Sequence, residues 1–376
     1  MKSLNKKAAY RCATGILSAI LVVASLSMSG CSLRSLIFDR DQKVDDETII
    51  QPEDTDAGNS QKPPSDEEIK EDKPSMPLYY NPLTGLASEI DLSLVRPVAV
   101  CLGDTNEAMS AAGLGQSEIL IEAPAENGKT KLTAVTCTYQ AMSQLGAIGV
   151  SRPYLLSFSS SLGAVSVCAG ASDQLLDSAA EYAFPVIDYA KEGLSTVFYR
   201  TEDFPDKLFT SGTRLIGALE NFEKSSASLP CEFLPYGTSY VVGDKPASGV
   251  VIPYAINQVT QFSYDKTKQI YICSKNATPQ EGEAAAPLSF TNLLLLTCES
   301  AIHNKVTGTV FELNTENGGR GQYISNGTCI NIQWARSDSG ALQITDLNGD
   351  PILMNRGKTY IGLLDLANQD SLLIIK

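Results

Sequence analysis

Short runs of apolar, often β-branched residues recur along the chain from residue 97 onward. Runs of this kind, bounded by Gly, Asn or Asp, are typical of β-strands. Strands are predicted at Pro97–Leu102, Ile119–Ile121, Leu132–Tyr139 and Ala164–Cys168. Helical patterns lie among and after them, at Asp173–Ala183 and Thr213–Glu223. Because strands and helices alternate, residues 78–230 are predicted to form an α/β (α+β) N-terminal domain.

After about Pro230 the helical patterns fade and alternating runs dominate. Strands are predicted at Tyr240–Val242, Gly249–Ile252, Gln261–Tyr264, Gln269–Cys273, Asn292–Thr297, Thr328–Trp334, Leu342–Thr345 and Thr359–Leu364. Asn-Gly pairs follow at 326–327 and 348–349, and Asn-Gly between alternating runs is a strong hairpin signal. Residues 231–376 are therefore predicted to form a mainly antiparallel β C-terminal domain.

The N-terminus has the pattern of an export signal, in which basic residues precede an apolar stretch at Ile16–Val23. Met28-Ser-Gly-Cys31 then resembles the lipobox of bacterial lipoprotein precursors, although Met28 stands where leucine is usual. The resemblance implies that residues 1–30 are a signal peptide and that Cys31 receives a diacylglycerol. Two acyl chains would hold the protein in the lipid bilayer, at the outer face of the cytoplasmic membrane.

Two other interpretations of this segment remain open. The apolar stretch could be an uncleaved signal anchor, since about 18 apolar residues can span a bilayer. Alternatively, Cys31 could be an ordinary cysteine that follows a secretory signal. All three interpretations export the rest of the chain.

The composition changes abruptly in residues 31–77. Between Asp39 and Pro74 there are thirteen acidic and five basic residues, and large apolar residues are nearly absent after Ile50. Such a segment buries too little apolar surface to offset its ordering entropy, so an acidic disordered linker is predicted. Like charges favour an extended tether that an anionic membrane repels. An acidic recognition tail for a basic partner is the alternative.

Charge and histidine content exclude several classes of function. The formal net charge of −14 argues against nucleic acid as a partner, because phosphate binding needs clustered Lys and Arg. The chain has one histidine, His303, in a segment (Ser300–Lys305) that is predicted to be a polar turn. Histidine-based acid–base catalysis and classical zinc sites are therefore not expected, and neither a metal nor a cofactor is predicted.

Seven cysteines follow Cys31, and none of them shows Cys-x-x-Cys spacing. An odd number cannot all pair within one chain. At least five of them lie in strand-like apolar runs, namely Cys101, Cys137, Cys168, Cys273 and Cys329, so mostly unpaired thiols that pack as small hydrophobes are predicted. Disulfides remain the alternative for an exported protein. A nucleophilic role for Cys168 is a further alternative to core packing.

Several short motifs, in order, resemble the YerB-like lipoproteins, which carry domain of unknown function 3048. They are Tyr80–Leu86, Arg96–Val100, Gly113–Leu114, Ile119–Ala123, Ser151–Tyr154, Phe198–Arg200, Leu208–Ser211, Gly321–Tyr323, Ile332–Trp334, Asn348–Gly349 and Gly357–Tyr360. The resemblance covers nearly all of residues 78–376. The activity of that family is unassigned. The resemblance therefore implies an architecture and a location but no reaction.

The chain departs from the pattern of the family at three polar positions. It has Gly149 where members tend to have an arginine, and Cys168 where they tend to have a histidine. Where members tend to have Pro-His-Asn, it reads Phe204-Pro-Asp-Lys207. If those residues formed a reactive site in the family, this chain has lost much of it.

Charged residues beside the predicted strands are the candidate site. A polar cleft is predicted from Glu122, Glu126, Lys131, Arg152 and Arg200, since arginine forks suit carboxylate or phosphate ligands. A structural ion-pair network is the alternative interpretation of the same residues.

Two functions follow from these residues. The preferred one is a non-catalytic envelope module that binds a cell-wall polymer, a small anionic ligand or a surface protein, with no catalytic residue assigned. The alternative is a hydrolase of an envelope polymer that uses Glu122 and Glu126 as paired carboxylates.

Overall fold

The computed structural model describes residues 79–104, 111–170, 186–191, 196–223, 233–237, 243, 245–276, 278–279, 287–305 and 308–376. Several predicted features lie outside the described residues: the signal peptide (1–30), Cys31, the linker (31–77), the helix at Asp173–Ala183, Cys231 and the strand at Tyr240–Val242. Within the described part, no helix is long and apolar enough to cross a membrane.

The described residues between 79 and 223 form short strands, two α-helices and three short 3₁₀ helices. The strands are β1 (Tyr79–Tyr80), β2 (Ala87–Ser88), β3 (Val98–Asp104), β4 (Ile119–Pro124), β5 (Thr130–Thr136), β6 (Leu145–Gly146), β7 (Val165–Cys168), β8 (Val186–Asp188) and β9 (Phe209–Thr210). The α-helices are α1 (Pro153–Ser160) and α2 (Gly212–Glu223). The four strands predicted in this region and the helix predicted at Thr213–Glu223 are confirmed, except that the strand predicted at Leu132–Tyr139 ends at Thr136.

The described residues from 245 onward form strands and no α-helix. The strands are β10 (Lys245–Pro246), β11 (Gly249–Ala255), β12 (Gln258–Asp265), β13 (Ile270–Lys275), β14 (Thr278–Pro279), β15 (Ser289–Phe290), β16 (Asn292–Cys298), β17 (Ser300–Lys305), β18 (Gly308–Leu313), β19 (Gly319–Ser325), β20 (Thr328–Arg336), β21 (Leu342–Thr345), β22 (Thr359–Asp365) and β23 (Leu373–Ile375). The predicted polar turn at Ser300–Lys305 is wrong, because these residues form β17, in which His303 pairs with Val310 of β18.

The central sheet has eleven strands in the order β10-β20-β19-β16-β22-β4-β5-β3-β7-β8, and β21 pairs with β20. It is a mixed sheet. Strand β22 runs parallel to both β16 and β4, and β7 runs parallel to both β3 and β8, whereas the pairs β16–β19, β19–β20, β3–β5 and β4–β5 are antiparallel. A second sheet is antiparallel, in the order β14-β13-β12-β11-β23, with β15 beside β13.

Burial follows from the position of each strand in its sheet. Strand β4 is covered on both faces, and all six of its residues are buried, as expected for a central strand with a continuous apolar run. Strand β20 lies near an edge, and its residues alternate between buried and more exposed over much of their length. The predicted hairpin between β19 and β20 is confirmed: both Asn326 and Gly327 have positive φ, at 50° and 72°, as a type I′ turn requires.

The core covers both faces of the central sheet. On one face, Leu120 and Leu132 pack in a cluster with Val250 and Phe262 of the second sheet, and we call this the second-sheet face. On the other face, the cluster joins Ile119, Ile121 and Val135 to Leu155 and Phe158 of α1, and we call this the α1 face. Because successive residues of a strand point to opposite faces, neighbours on β4 enter different clusters.

The protein is mostly β, and the α/β arrangement predicted for residues 78–230 is not confirmed. In this region β3, β4 and β5 pair antiparallel, and β4 then pairs with β22 from the C-terminal segment. Apolar runs cannot reveal this, because a strand covered on both faces has the same pattern in a parallel and in a mixed sheet. The central sheet takes strands from both 78–230 and 231–376, and the division into two domains stays a prediction.

Candidate functional site

Glu122 is a carboxylate enclosed within the core. It lies on β4, and its exposed fraction is 0%. The register pairs Glu122 with Leu132 of β5 and Gly362 of β22, on the second-sheet face. A buried charge is costly unless it finds a counter-charge and hydrogen bonds. The surroundings of Glu122 must therefore supply both.

Four side chains donate to this carboxylate. Oε1 accepts from Thr130 Oγ1 at 2.7 Å and forms an ion pair with Lys275 Nζ. Oε2 accepts from Thr260 Oγ1 at 2.8 Å and from the Tyr360 hydroxyl at 2.9 Å. A carboxylate offers about four lone-pair positions, so these donors fill it. We call these five residues the Glu122 network, and it ties β4, β5 and β22 to β12 and β13.

Tyr254 forms an outer layer of the Glu122 network. Its hydroxyl lies 2.9 Å from that of Tyr360, and Lys275 Nζ lies 5.5 Å from the centre of its ring. Burial first, and then the negative charge of Glu122, raise the pKa of both tyrosines well above the ordinary value. The hydroxyls therefore remain protonated at neutral pH, and Tyr360 acts as a hydrogen-bond donor to Glu122.

Glu126 and Arg152 form a bidentate ion pair. Glu126 lies in the 3₁₀ turn after β4, and Arg152 directly precedes α1. Arg152 Nε is 3.0 Å and 2.9 Å from the two carboxylate oxygens, and its Nη2 is 2.7 Å from Oε2. Burial alone would raise the pKa of Glu126, but the hydrogen bonds and charge of Arg152 outweigh burial, and the pKa lies below the ordinary value.

The remaining two predicted site residues lie away from Glu122. Thr130 points towards Glu122, so the next residue of β5, Lys131, points to the opposite face. There burial raises the pKa of the Cys101 thiol, and the positive charge of Lys131 offsets part of that rise. Arg200 is exposed, and its Nη1 donates to the carbonyl oxygen of Pro205 at 3.2 Å.

The five predicted residues thus divide between the two faces of the central sheet and the surface. Glu126 pairs with Arg152 at the start of α1, and Lys131 lies on the α1 face, whereas Glu122 lies on the second-sheet face. The structure does not bring the five together in one cleft. The Glu126–Arg152 pair and the Glu122 network correspond to the alternative interpretation, ion-pair networks. Ligand binding by these residues stays a prediction.

Lys275, the counter-charge of Glu122, is not among the predicted site residues. Lys275 follows Glu122 by 153 residues, and its side chain is only 3% exposed. One signal could have identified it: Tyr271, Cys273 and Lys275 alternate along β13, and all three are buried. Extending the alternating run by two residues places a lysine on the buried face, where it needs an acidic partner.

The motif at Tyr80–Leu86 has a structural role. Asn81 is buried, and its side chain donates to Glu118 Oε1 at 2.9 Å and accepts from the backbone N–H of Leu83 at 2.8 Å. Gly85 has a φ of 66°, and a Cβ there would lie 2.6 Å from the side chain of Tyr236. The motif is therefore a tight turn that fastens the start of the described chain to the central sheet.

A small cleft lies where the second sheet meets β4 and β22. It is lined by Pro124, Ile252, Pro253, Tyr254, Leu364, Asp365, Asn368 and Leu372. Asp365 Oδ1 accepts from Ser300 Oγ at 2.8 Å and from the backbone N–H of Ala367 at 2.9 Å, which orients its carboxylate. The cleft combines flat proline and tyrosine faces with one carboxylate and one amide.

Thiols in the described part are buried and carry no disulfide. They are Cys101, Cys137, Cys168, Cys273, Cys298 and Cys329. Burial raises the pKa of Cys168, so its thiol stays protonated and is a poor nucleophile. Among the residues that the structure describes, no group of three or more His, Cys, Asp or Glu side chains could hold a metal ion.

Two stretches of the chain match models of one known family. Residues 83–225 match the family described as "Protein of unknown function (DUF3048) N-terminal domain", and residues 250–361 match its C-terminal domain. The chain belongs to the DUF3048 family. The resemblance stated from the short motifs is thereby confirmed.

A relative and a solved structure of this family are similar to the chain. "Putative lipoprotein YerB" of Bacillus subtilis (strain 168) is 26% identical over 293 residues, which are 75% of this chain and 85% of the relative. The crystal structure of the YerB protein from Bacillus subtilis matches with a TM-score of 0.67 and 24% identity, over 79% of this chain and 99% of that one. The two proteins therefore share the same fold.

Proposed function

We propose that this DUF3048 protein is a lipid-anchored extracytoplasmic module that binds a polymer of the cell envelope without cleaving it. One observation carries the non-catalytic part. Both carboxylates that could have formed a catalytic pair are occupied by other side chains, Glu122 by four donors and Glu126 by the fork of Arg152.

The alternative, a hydrolase with paired carboxylates, requires a different geometry. In glycoside hydrolases the two carboxyl groups flank one scissile bond, separated by about 5 to 10 Å, with the substrate between them. Here Glu122 contacts the second sheet, whereas Glu126 contacts Arg152 at the start of α1. Because Glu122 is 0% exposed, a substrate reaches it only if the core opens. These facts favour binding over cleavage.

The anchor rests on the N-terminal sequence and on the relative. Met28-Ser-Gly-Cys31 ends in the cysteine that a lipobox requires, and the similar Bacillus subtilis protein is described as a lipoprotein. We expect Cys31→Ala to abolish labelling by a fatty-acid probe and to leave an unprocessed or mislocalised precursor. Wild-type protein that takes up no acyl label would favour the signal-anchor interpretation.

The small cleft beside Tyr254 is the proposed binding site. Pro253 and Tyr254, which are both half-buried, offer apolar surface, and Asp365 and Asn368 offer hydrogen-bonding groups. Sugars present apolar ring faces together with hydroxyl donors, which suits such a lining. The one charged lining residue is acidic, which disfavours the small anionic ligand. A wall glycan is therefore the proposed ligand.

Cosedimentation of the full chain with insoluble wall polymer tests this site. Asn368→Ala should weaken binding about tenfold, or about 1.4 kcal/mol, because it removes the exposed amide of the cleft. Asn317→Ala is the matched control, since Asn317 is also exposed but does not line the cleft. Equal binding by wild type and Asn368→Ala would contradict the site. Release of soluble sugar fragments by wild type would favour the hydrolase.

A further inference from the structure

Two cysteines lie side by side in the central sheet. Strands β3 and β7 are parallel, and their register pairs Val98–Val100 with Val165–Val167. The next position on each strand is a cysteine, Cys101 on β3 and Cys168 on β7. Both belong to one small buried cluster, and they are 2% and 0% exposed. The fold therefore brings together two thiols that are 67 positions apart in the sequence.

Their spacing meets the main requirement for a disulfide. Neighbouring strands lie about 4.8 Å apart, and the Cα atoms of disulfide-bonded cysteines are usually about 4.4 to 6.8 Å apart. Other described cysteines have different neighbours across the strands: Cys273 lies opposite Phe262, and Cys298 lies opposite Asp365. This side-by-side arrangement sets the pair apart from cysteines that only fill the core.

We propose that Cys101 and Cys168 are a thiol–disulfide site, which forms an intramolecular disulfide when the chain meets a disulfide oxidant such as oxidised glutathione. The structure contains the reduced form. One cysteine, as thiolate, attacks a sulfur of the oxidant and releases one thiolate, which takes up a proton. The second cysteine, as thiolate, then attacks the mixed disulfide at the sulfur of the first cysteine. This step forms the disulfide of the chain and releases the second thiolate of the oxidant, which also takes up a proton. Two thiols of the chain are oxidised, and one disulfide is reduced to two thiols.

The surroundings determine how fast this site reacts. Burial raises the pKa of the Cys101 thiol, although Thr133 Oγ1, 4.0 Å from Cys101 Sγ, acts in the opposite direction. Thiolate is therefore scarce while the sheet is intact, so oxidation should be slow in the folded chain and faster during refolding. The bond would join β3 to β7 near the edge strand β8 and oppose separation of these strands.

Peptide mapping of the full chain tests the proposal directly. The reduced protein is refolded with oxidised glutathione, remaining thiols are alkylated, and the protein is digested without reductant. We expect a peptide pair joined through Cys101 and Cys168, two fewer alkylated thiols per chain, and a higher Tm than that of the reduced protein. Reductant should reverse all three changes.

Matched variants identify the partners. Cys101→Ala should abolish the loss of two thiols, whereas Cys298→Ala, which removes another buried cysteine, should retain it. Because mapping of the wild type needs no variant, the test stands even if Cys101→Ala folds poorly. The absence of a Cys101–Cys168 link after oxidation, or the pairing of either cysteine with a different one, would overturn the proposal.

Discussion

The pair formed by Glu122 and Lys275 gives the sharpest test of the structure. Lys275→Met keeps most of the length of the side chain but removes its charge, which leaves the carboxylate of Glu122 in the core without a counter-charge. The side chains of the two residues are 3% and 0% exposed. Breaking a buried pair of this kind from one side costs about 3 to 5 kcal/mol. We expect Lys275→Met to lower the free energy of unfolding by that amount.

Urea denaturation at neutral pH, followed by circular dichroism, measures this change. Lys266→Met is the matched control, because Lys266 is exposed in the turn between β12 and β13, and it should change stability by about 0.5 kcal/mol or less. The double variant Glu122→Gln/Lys275→Met removes both charges, and its amide can still accept from Thr260 or Tyr360. It should recover much of the loss, because no unpaired charge remains.

Two results would refute this reasoning. A loss below about 1 kcal/mol for Lys275→Met would place the pair among exposed salt bridges, which contribute little. The second result is a double variant whose loss in free energy of unfolding equals the sum of the losses of Glu122→Gln and Lys275→Met. It would show that the two charges do not depend on each other. Either result would remove Lys275 as the counter-charge of Glu122.

Two further predictions concern the Glu126–Arg152 pair and Gly357. Because the folded pKa of Glu126 lies below the ordinary value, the pair stabilises the fold above about pH 4.3, and this contribution is lost as the pH falls through the folded pKa. The stability gap between wild type and Arg152→Gln should therefore close in acid, and a gap that persists in pH-dependent denaturation would contradict the pair. Gly357 has a φ of 141°, and a Cβ there would lie 2.0 Å from Thr291 Oγ1. In thermal melts Gly357→Ala should thus lose at least about 2 kcal/mol more than Gly340→Ala, whose Cβ meets nothing within 4 Å; equal losses would contradict the close approach.

Much of the local structure could be predicted from the sequence. The runs at Ile119–Ile121 and Thr328–Trp334 became strands, Thr213–Glu223 became the helix α2, and Asn326-Gly327 became the turn between β19 and β20. Each of these depends on residues that are near one another in the chain. Backbone preferences and the spacing of apolar side chains act over that range. The family, too, was recognisable from short motifs in order.

Other features were decided only by the tertiary structure. Residues Thr359–Asp365 form β22, which lies between β16 and β4 and so joins the two halves of the chain in one sheet. Glu122 and Glu126 are four positions apart, yet one faces the second sheet and the other pairs with Arg152 at α1. The counter-charge of Glu122 and the neighbour of Cys101 come from distant strands. Strand order and burial depend on how every apolar face of the chain is covered at once, and no local window of sequence contains that information.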